Sequence, residues 1–211
     1  MAKLLNGING PFSGKVGAVV GYVLNGQAVI RGLPGKKNWK SSVAQKQQQA
    51  KFALMHDFLR TILPFLNITY DGVAVQMTGF NKAFSYNVKN AISGTYPDLQ
   101  IDYTRVQVGS GDLPNAQSPA AIVSSDGHIT FSWTYDRTVA SASPTDQAFV
   151  AIYCEEKKMW NCELNPASRK AGICLIDATS FSGKKVHTYI GFISNDGKTA
   201  SDSLYTGSLQ L

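Results

Sequence analysis

Acid is almost absent from the start of this chain. Residues 1 to 66 hold one acidic side chain, Asp57, beside nine Lys and Arg, whereas the rest carries eleven basic groups against thirteen acidic ones. All of the net charge of +6 therefore comes from the first third. A charge so segregated points to nucleic acid, an acidic surface, or the acidic part of another copy of the chain as partner. Long apolar runs are missing as well. No stretch approaches eighteen uninterrupted apolar residues, so no helical membrane span is expected. The first twenty residues lack a charged start, an apolar run and a small-residue cleavage site. No cleavable signal is expected, and the expected location is cytoplasmic before assembly, with a final place in a particle or outside the cell left open.

Cysteine is scarce. Cys154, Cys162 and Cys174 are odd in number and confined to the last third, which fits reduced, partly buried thiols better than a disulfide framework. Their spacing, with His187 the nearest fourth ligand, matches no common zinc pattern, so no metal is expected. No cofactor is expected either. The stretch NGPFSGKVGAVVGYVLNG (9–26) looks like a phosphate loop but lacks what one needs: Val16 follows Gly14-Lys15 where a hydroxyl should stand, and Asn9 occupies the place of the first glycine. Catalytic sets are wanting too. His56, His128 and His187 have no nucleophile or acid motif around them, and Glu155-Glu156-Lys157-Lys158 reads as a solvated turn. An enzyme would need a pocket where helices and strands converge, lined by Asp98, Asp102 and Tyr103. Asp98 after Pro97 reads more simply as turn chemistry, and the chain is read as not an enzyme.

What is present is an α+β pattern. Apolar residues at 16, 18–20 and 22–24, bounded by glycines, predict a buried β-hairpin, and glycine within such strands marks a bend or the close approach of another backbone. Gly14, Gly17 and Gly21 are the candidate backbone contacts. RGLPGKKNWKSS is a turn-rich basic connector. Ser42 and Gln45 then form a capping box, and Phe52, Met55, Leu59, Ile62 and Leu66 recur at helical spacing until Pro64 kinks or ends the helix. ITYDGVAVQM alternates like a short strand. A second helix is expected over 81–93, with Phe80, Phe84, Val88 and Ile92 on its apolar face and Gly94 as its stop. From about residue 103 short β-branched and aromatic runs recur between turn signals such as Asp126-Gly127 and Asn195-Asp196-Gly197. They give roughly seven strands, the pattern of an antiparallel β-sandwich. HITFSW resembles the second strand of fibronectin type III domains, with Trp133 entering the core. The expected domains are an N-terminal α+β assembly region, 1–108, and a β-sandwich, 119–211, joined by a short hinge at GSGDLPNAQSP.

The ordered series GPFSGKVGAVVG, RGLP, SSVAQKQQQAKFALMHDFL, NKAFSYNVKNAISGTYPDLQIDY, GDLP and ITFSW resembles a bacterial family of uncharacterised proteins of about this length. The resemblance covers essentially the whole chain. Within it, S-x-x-A-Q followed by a basic residue and Phe corresponds to Ser41 through Phe52. The family supplies no activity. Related helix-opening patterns occur in small phage-encoded proteins, and fibronectin-like sandwiches are common in tail and baseplate components. The expectation is a non-enzymatic structural or assembly protein, virion-like, tail-like or filament-forming, joined to itself or to another subunit through the basic glycine-rich third. The alternative is nucleic-acid binding by segment 31–60, with Trp39 among lysines as a stacking residue. Arg31, Lys36, Lys37, Trp39, Lys40, Lys46 and Lys51 are the candidate contacts with a subunit or polyanion.

Overall fold

The computed structural model describes residues 3–4, 10–24, 26–35, 40–74, 76–124, 127–139 and 141–211. The chain divides into two compact units, 1–42 and 43–211. The first is an antiparallel sheet in chain order: β1 (Lys3–Leu4), β2 (Phe12–Val16), β3 (Val19–Leu24) and β4 (Gln27–Gly32). The expected hairpin is thus part of a longer meander. Gly17-Ala18 makes a two-residue turn between the paired Val16 and Val19, and Gly17 takes the positive φ of +56° that such turns favour. Gly14 stands opposite Gly21. A Cβ at Gly21 would lie 2.2 Å from the Phe12 carbonyl oxygen, so the close backbone approach expected there occurs inside this sheet.

The second unit opens with α1 (Val43–Leu59), a 3-10 turn over Arg60–Ile62, α2 (Leu63–Thr69) and α3 (Gly79–Asn90). Proline lacks an N–H and crowds the carbonyl four residues back. Pro64 accordingly falls in the first turn of α2, and the 3-10 turn absorbs the break. Segment 68–77, read as strand-like, contains the end of α2 and a 3-10 turn over Asp71–Val73. The Thr78 hydroxyl caps α3 by accepting from the Asn81 N–H at 3.2 Å. Gly94 is not the stop of α3. The helix ends before Ala91, and Gly94 lies within β5 (Ile92–Thr95), which pairs with β6 (Asp98–Ile101).

The seven expected strands follow: β7 (Gln117–Val123), β8 (His128–Thr134), β9 (Gln147–Cys154), β10 (Met159–Ser168), β11 (Ile173–Asp177), β12 (Lys185–Ile193) and β13 (Leu204–Gln210). They form two antiparallel sheets, ordered β10-β9-β12-β13 and β11-β8-β7. The unit is α+β, as the sequence predicts. Side chains alternate across a strand, and β9 is buried on both faces. Ala148, Val150, Ile152 and Cys154 share a core with Ile129, Phe131 and Trp133 of β8, while Phe149, Ala151 and Tyr153 share another with Met55, Phe58, Leu59 and Phe65 of the helices. That double burial is why QAFVAIYC reads as an unbroken apolar run. Trp133 enters the core between the sheets. Its Nε1–H donates to the Arg169 carbonyl at 2.7 Å, and its ring meets Phe192 of β12 edge-on, centroids 5.5 Å apart. The Arg169 guanidinium lies 3.8 Å from the centre of the Phe192 ring and pairs with buried Asp146 at 3.1 Å.

The helices share a core with the strands, and residues 109–119, expected as a hinge, are tied by hydrogen bonds to both. Ser110 N–H donates to the Thr69 carbonyl and Leu113 N–H to that of Ala200, at 3.2 and 3.0 Å. A Cβ on either Gly109 or Gly191 would come within 2.3 Å of the Phe149 ring, so that aromatic fits only because both neighbours are glycine. On α3 the buried positions are Gly79, Ala83 and Asn87, with Ala91 just beyond, while Phe80, Phe84 and Val88 are only half-buried. Small side chains let the helix approach closely, so the deepest face is not the bulkiest. Phe52, read as core, is exposed and packs its ring 5.5 Å from that of Phe84.

Candidate functional site

The first unit has a surface that the register defines. Directly opposed residues share a face of a sheet. One face carries Phe12, Gly14, Val16, Val19, Gly21, Val23, Ala28, Ile30 and Gly32, with no polar side chain. The other carries Ser13, Lys15, Val20, Tyr22, Leu24, Gln27, Val29 and Arg31. Gly21 is the single buried residue among the described residues of this unit. Val16, Val23 and Ile30 on the apolar face are 51%, 54% and 61% exposed. Phe12 covers Gly21 at the centre of that face, and Gly17 sits in the turn at its rim.

The basic candidates are divided between the two units. Arg31 projects from β4 with its guanidinium 5.8 Å from the centre of the Tyr22 ring, and Lys40 is exposed at the end of the same unit. Lys46 is exposed and Lys51 half-buried on α1, in the other unit. Lys36, Lys37 and Trp39 lie outside the described residues, as do Asn9 and Asp126.

Of the carboxylates considered for catalysis, Asp102 is occupied by local structure. Asp102 accepts from the Thr104 N–H and hydroxyl at 3.1 and 2.5 Å and pairs with Arg105 at 3.3 Å. A cleft of about 360 Å³ does open between α1, β6 and the β9–β10 turn, lined by Phe58, Ile101, Tyr103, Tyr153, Glu155 and Lys158 among others. Of the three residues proposed for such a junction, Tyr103 alone lines it. Burial above all, then Glu155, pushes the Tyr103 phenol well above its ordinary value and that of Tyr153 up to about 12. These phenols stay protonated in the physiological range. His187 is buried and stacks on Tyr103 with centroids 3.9 Å apart, its Nδ1 3.0 Å from the Tyr205 hydroxyl. Its Nε2 has no hydrogen-bond partner among the described residues, with the nearest Glu155 carboxylate oxygen 3.9 Å away. Burial, with Lys185 adding, holds His187 below the ordinary imidazole range.

Glu156 pairs with Lys184, and Lys157 donates to the Ser180 carbonyl at 2.6 Å, within a turn that joins β9 to β10. The three cysteines are free thiols, and burial pushes Cys174 up to about 11 and Cys162 higher. No group of three or more metal-ligating side chains occurs among the described residues. Nor is any helix among them long and apolar enough to cross a membrane.

A polar network escaped the sequence reading. Asn87, fully buried, accepts from the Gln107 N–H at 2.9 Å and donates to the Gln107 carbonyl at 2.8 Å. Tyr70 donates to the same carbonyl at 3.1 Å. The one signal was an Asn between two alanines at helical spacing, 83, 87 and 91.

The chain belongs to a family of unknown function (DUF6266), whose family model matches residues 11–207. No curated protein matches it.

Proposed function

We propose that this protein is a non-enzymatic assembly component, joined to another copy of itself through its N-terminal sheet as part of a larger particle or filament. The observation that carries this reading is the wholly apolar face of β2–β4, exposed on a unit with no buried apolar side chain among its described residues. A sheet of this size gains stability only by covering such a face. Two copies face to face would bury both as packed sheets do, about 10 Å apart. The outer edge of β4, unpaired among the described residues, offers a second joint through strand addition. A joint of that kind repeats into rings or filaments. The fibronectin-like pair of sheets in the second unit would be the body displayed.

Light scattering coupled to size exclusion tests this. The full chain should run larger than a monomer, and Val23→Asp with Ile30→Asp should return it to monomer. A monomeric full chain at high micromolar concentration would remove the reading.

A second reading, nucleic-acid binding, is favoured by the opposite face of the same sheet, where Lys15 and Arg31 both stand opposite Val20 and the Arg31 guanidinium lies over the Tyr22 ring. It requires gel retention of DNA or RNA that weakens steeply with salt and is lost with Lys15→Glu and Arg31→Glu. No retention at low salt would dispose of it.

A further inference from the structure

His187 lies near the start of β12, where the register sets it between Tyr153 of β9 and Ser208 of β13. It is only 4% exposed, and its ring is fixed from two sides. One face stacks on Tyr103, and Nδ1 lies 3.0 Å from the Tyr205 hydroxyl. Tyr103 is itself tied to the same strand, since the Tyr189 hydroxyl donates to its carbonyl at 2.8 Å. The other ring nitrogen is the exception. Nε2 is the one buried side-chain polar atom without a hydrogen-bond partner among the described residues, and a Glu155 carboxylate oxygen stands 3.9 Å from it.

Glu155 is the movable member of the pair. It follows the last residue of β9 and opens the turn to β10, half-exposed, on a side chain with three rotatable bonds. Its neighbours in the turn are committed elsewhere, Glu156 to Lys184 and Lys157 to the Ser180 carbonyl. Among the described residues His187 is the one basic group within ion-pair distance of Glu155. Neutral imidazole carries a single N–H, and 3.9 Å is too long for a hydrogen bond in either tautomer. Protonated imidazole carries two. Nδ1–H then donates to the Tyr205 oxygen, while Nε2–H needs an acceptor that burial keeps water from supplying. A charge-assisted contact closes to about 2.8 Å, so the carboxylate has roughly 1 Å to travel.

Of the other groups around the ring, Lys185 on its own strand opposes protonation, and Tyr103, Tyr153 and Tyr205 keep their phenol protons. Asp102, beside Tyr103, is engaged by Thr104 and Arg105. That leaves Glu155 as the counter-ion. We propose that His187 and Glu155 form a pH-operated latch, in which acidification makes the fixed imidazolium draw the Glu155 carboxylate out of solvent and onto Nε2. The latch reaches the cleft between α1, β6 and the β9–β10 turn, because Glu155 and Tyr103 both line it. Closing takes one free carboxylate from that cleft and leaves Asp57 and Lys158 to balance each other. The inference is independent of how the N-terminal sheet assembles.

Crystal structures of the full chain at about pH 7.5 and about pH 5, on either side of the imidazole range, test it together with NMR titration of the histidine ring nitrogens. The distance from Nε2 to the carboxylate should shorten to hydrogen-bond length in acid alone. Glu155→Gln should lower the proton affinity of His187 at least about threefold. Glu155→Asp keeps the charge on a stem too short to reach, so it should lower that affinity nearly as far. Both substitutions sit in a half-exposed turn. They remain informative if His187→Gln, which should leave Glu155 in solvent at both pH values, fails to fold. An unchanged distance in acid would overturn the proposal, as would wild-type proton affinity in either Glu155 variant.

Discussion

In residues 1–42 the one described residue that is buried is a glycine, whereas in 43–211 Phe131, Phe149, Tyr189 and Tyr70 are almost wholly enclosed. Both regions are rich in β-branched and aromatic residues. What separates them is where the apolar side of each strand has to go. β9 finds a partner on both of its faces within its own unit, while the apolar face of β2–β4 finds none among the described residues of its unit. Hydrophobic pattern thus specifies a strand's sidedness but not whether its partner belongs to the same chain.

The largest effect should come from the body's buried ion pair. Arg169→Ala leaves Asp146 charged and enclosed, and should cost about 3–5 kcal/mol in denaturant unfolding of the full chain. A loss near zero would mean the two-sheet core is less self-sufficient than the comparison holds. Asn87→Leu should cost about 2–3 kcal/mol, because it strips partners from both backbone groups of Gln107. In the first unit the pattern should invert. Val23→Ser with Ile30→Ser should shift the body's stability by less than about 0.5 kcal/mol, as exposed sites do, yet abolish assembly by light scattering. Equal losses of stability from substitutions in the two units would erase the distinction.

The smallest effect is titration of His187. Folded, it is held neutral below its ordinary value of 6.5 by burial and Lys185, with Glu155 opposing and Tyr103 and Tyr205 as its other near neighbours. The unfolded chain therefore takes up the proton first. Stability is unaffected above about pH 6.5 and falls as pH drops through it, until the folded imidazole protonates in turn. His187→Gln should flatten the decline in thermal midpoint between about pH 5 and 7. An unchanged slope would locate the sensitivity elsewhere.

The strands of the second unit were legible because alternation and turn residues are local signals, and Trp133 could be placed from the strand around it. The helical core was half legible. Met55, Leu59, Ile62 and Leu66 follow their spacing inward, but on α3 bulk misled. Ala83 and Asn87 lie deepest because close approach and a buried hydrogen bond outweigh the area of Phe80 and Phe84. Segment 109–119 looked like a hinge by composition, since glycine that admits a neighbouring ring and glycine that frees a loop are the same letter. The buried polar network was invisible for another reason. Gln107 owes its position to Asn87, twenty residues earlier, and to Tyr70, thirty-seven residues earlier. Of the basic candidates, Arg31 and Lys40 fall in one unit and Lys46 and Lys51 in the other, which a count of charge along the chain could not separate.

The indole of Trp160 donates to the carbonyl of Phe58 at 2.9 Å, across 102 residues of chain. Phe149, Tyr153 and Tyr189, against which α1 and α2 pack, are likewise made long after those helices. A ribosome adding about 5–20 residues per second leaves the helical segment waiting on the order of 5–20 s for its floor. During that interval Met55, Phe58, Leu59 and Phe65 are bare on a nascent chain whose leading end carries a second apolar face. Production of this protein is therefore governed by what shelters those side chains during synthesis as well as by the stability of the finished body.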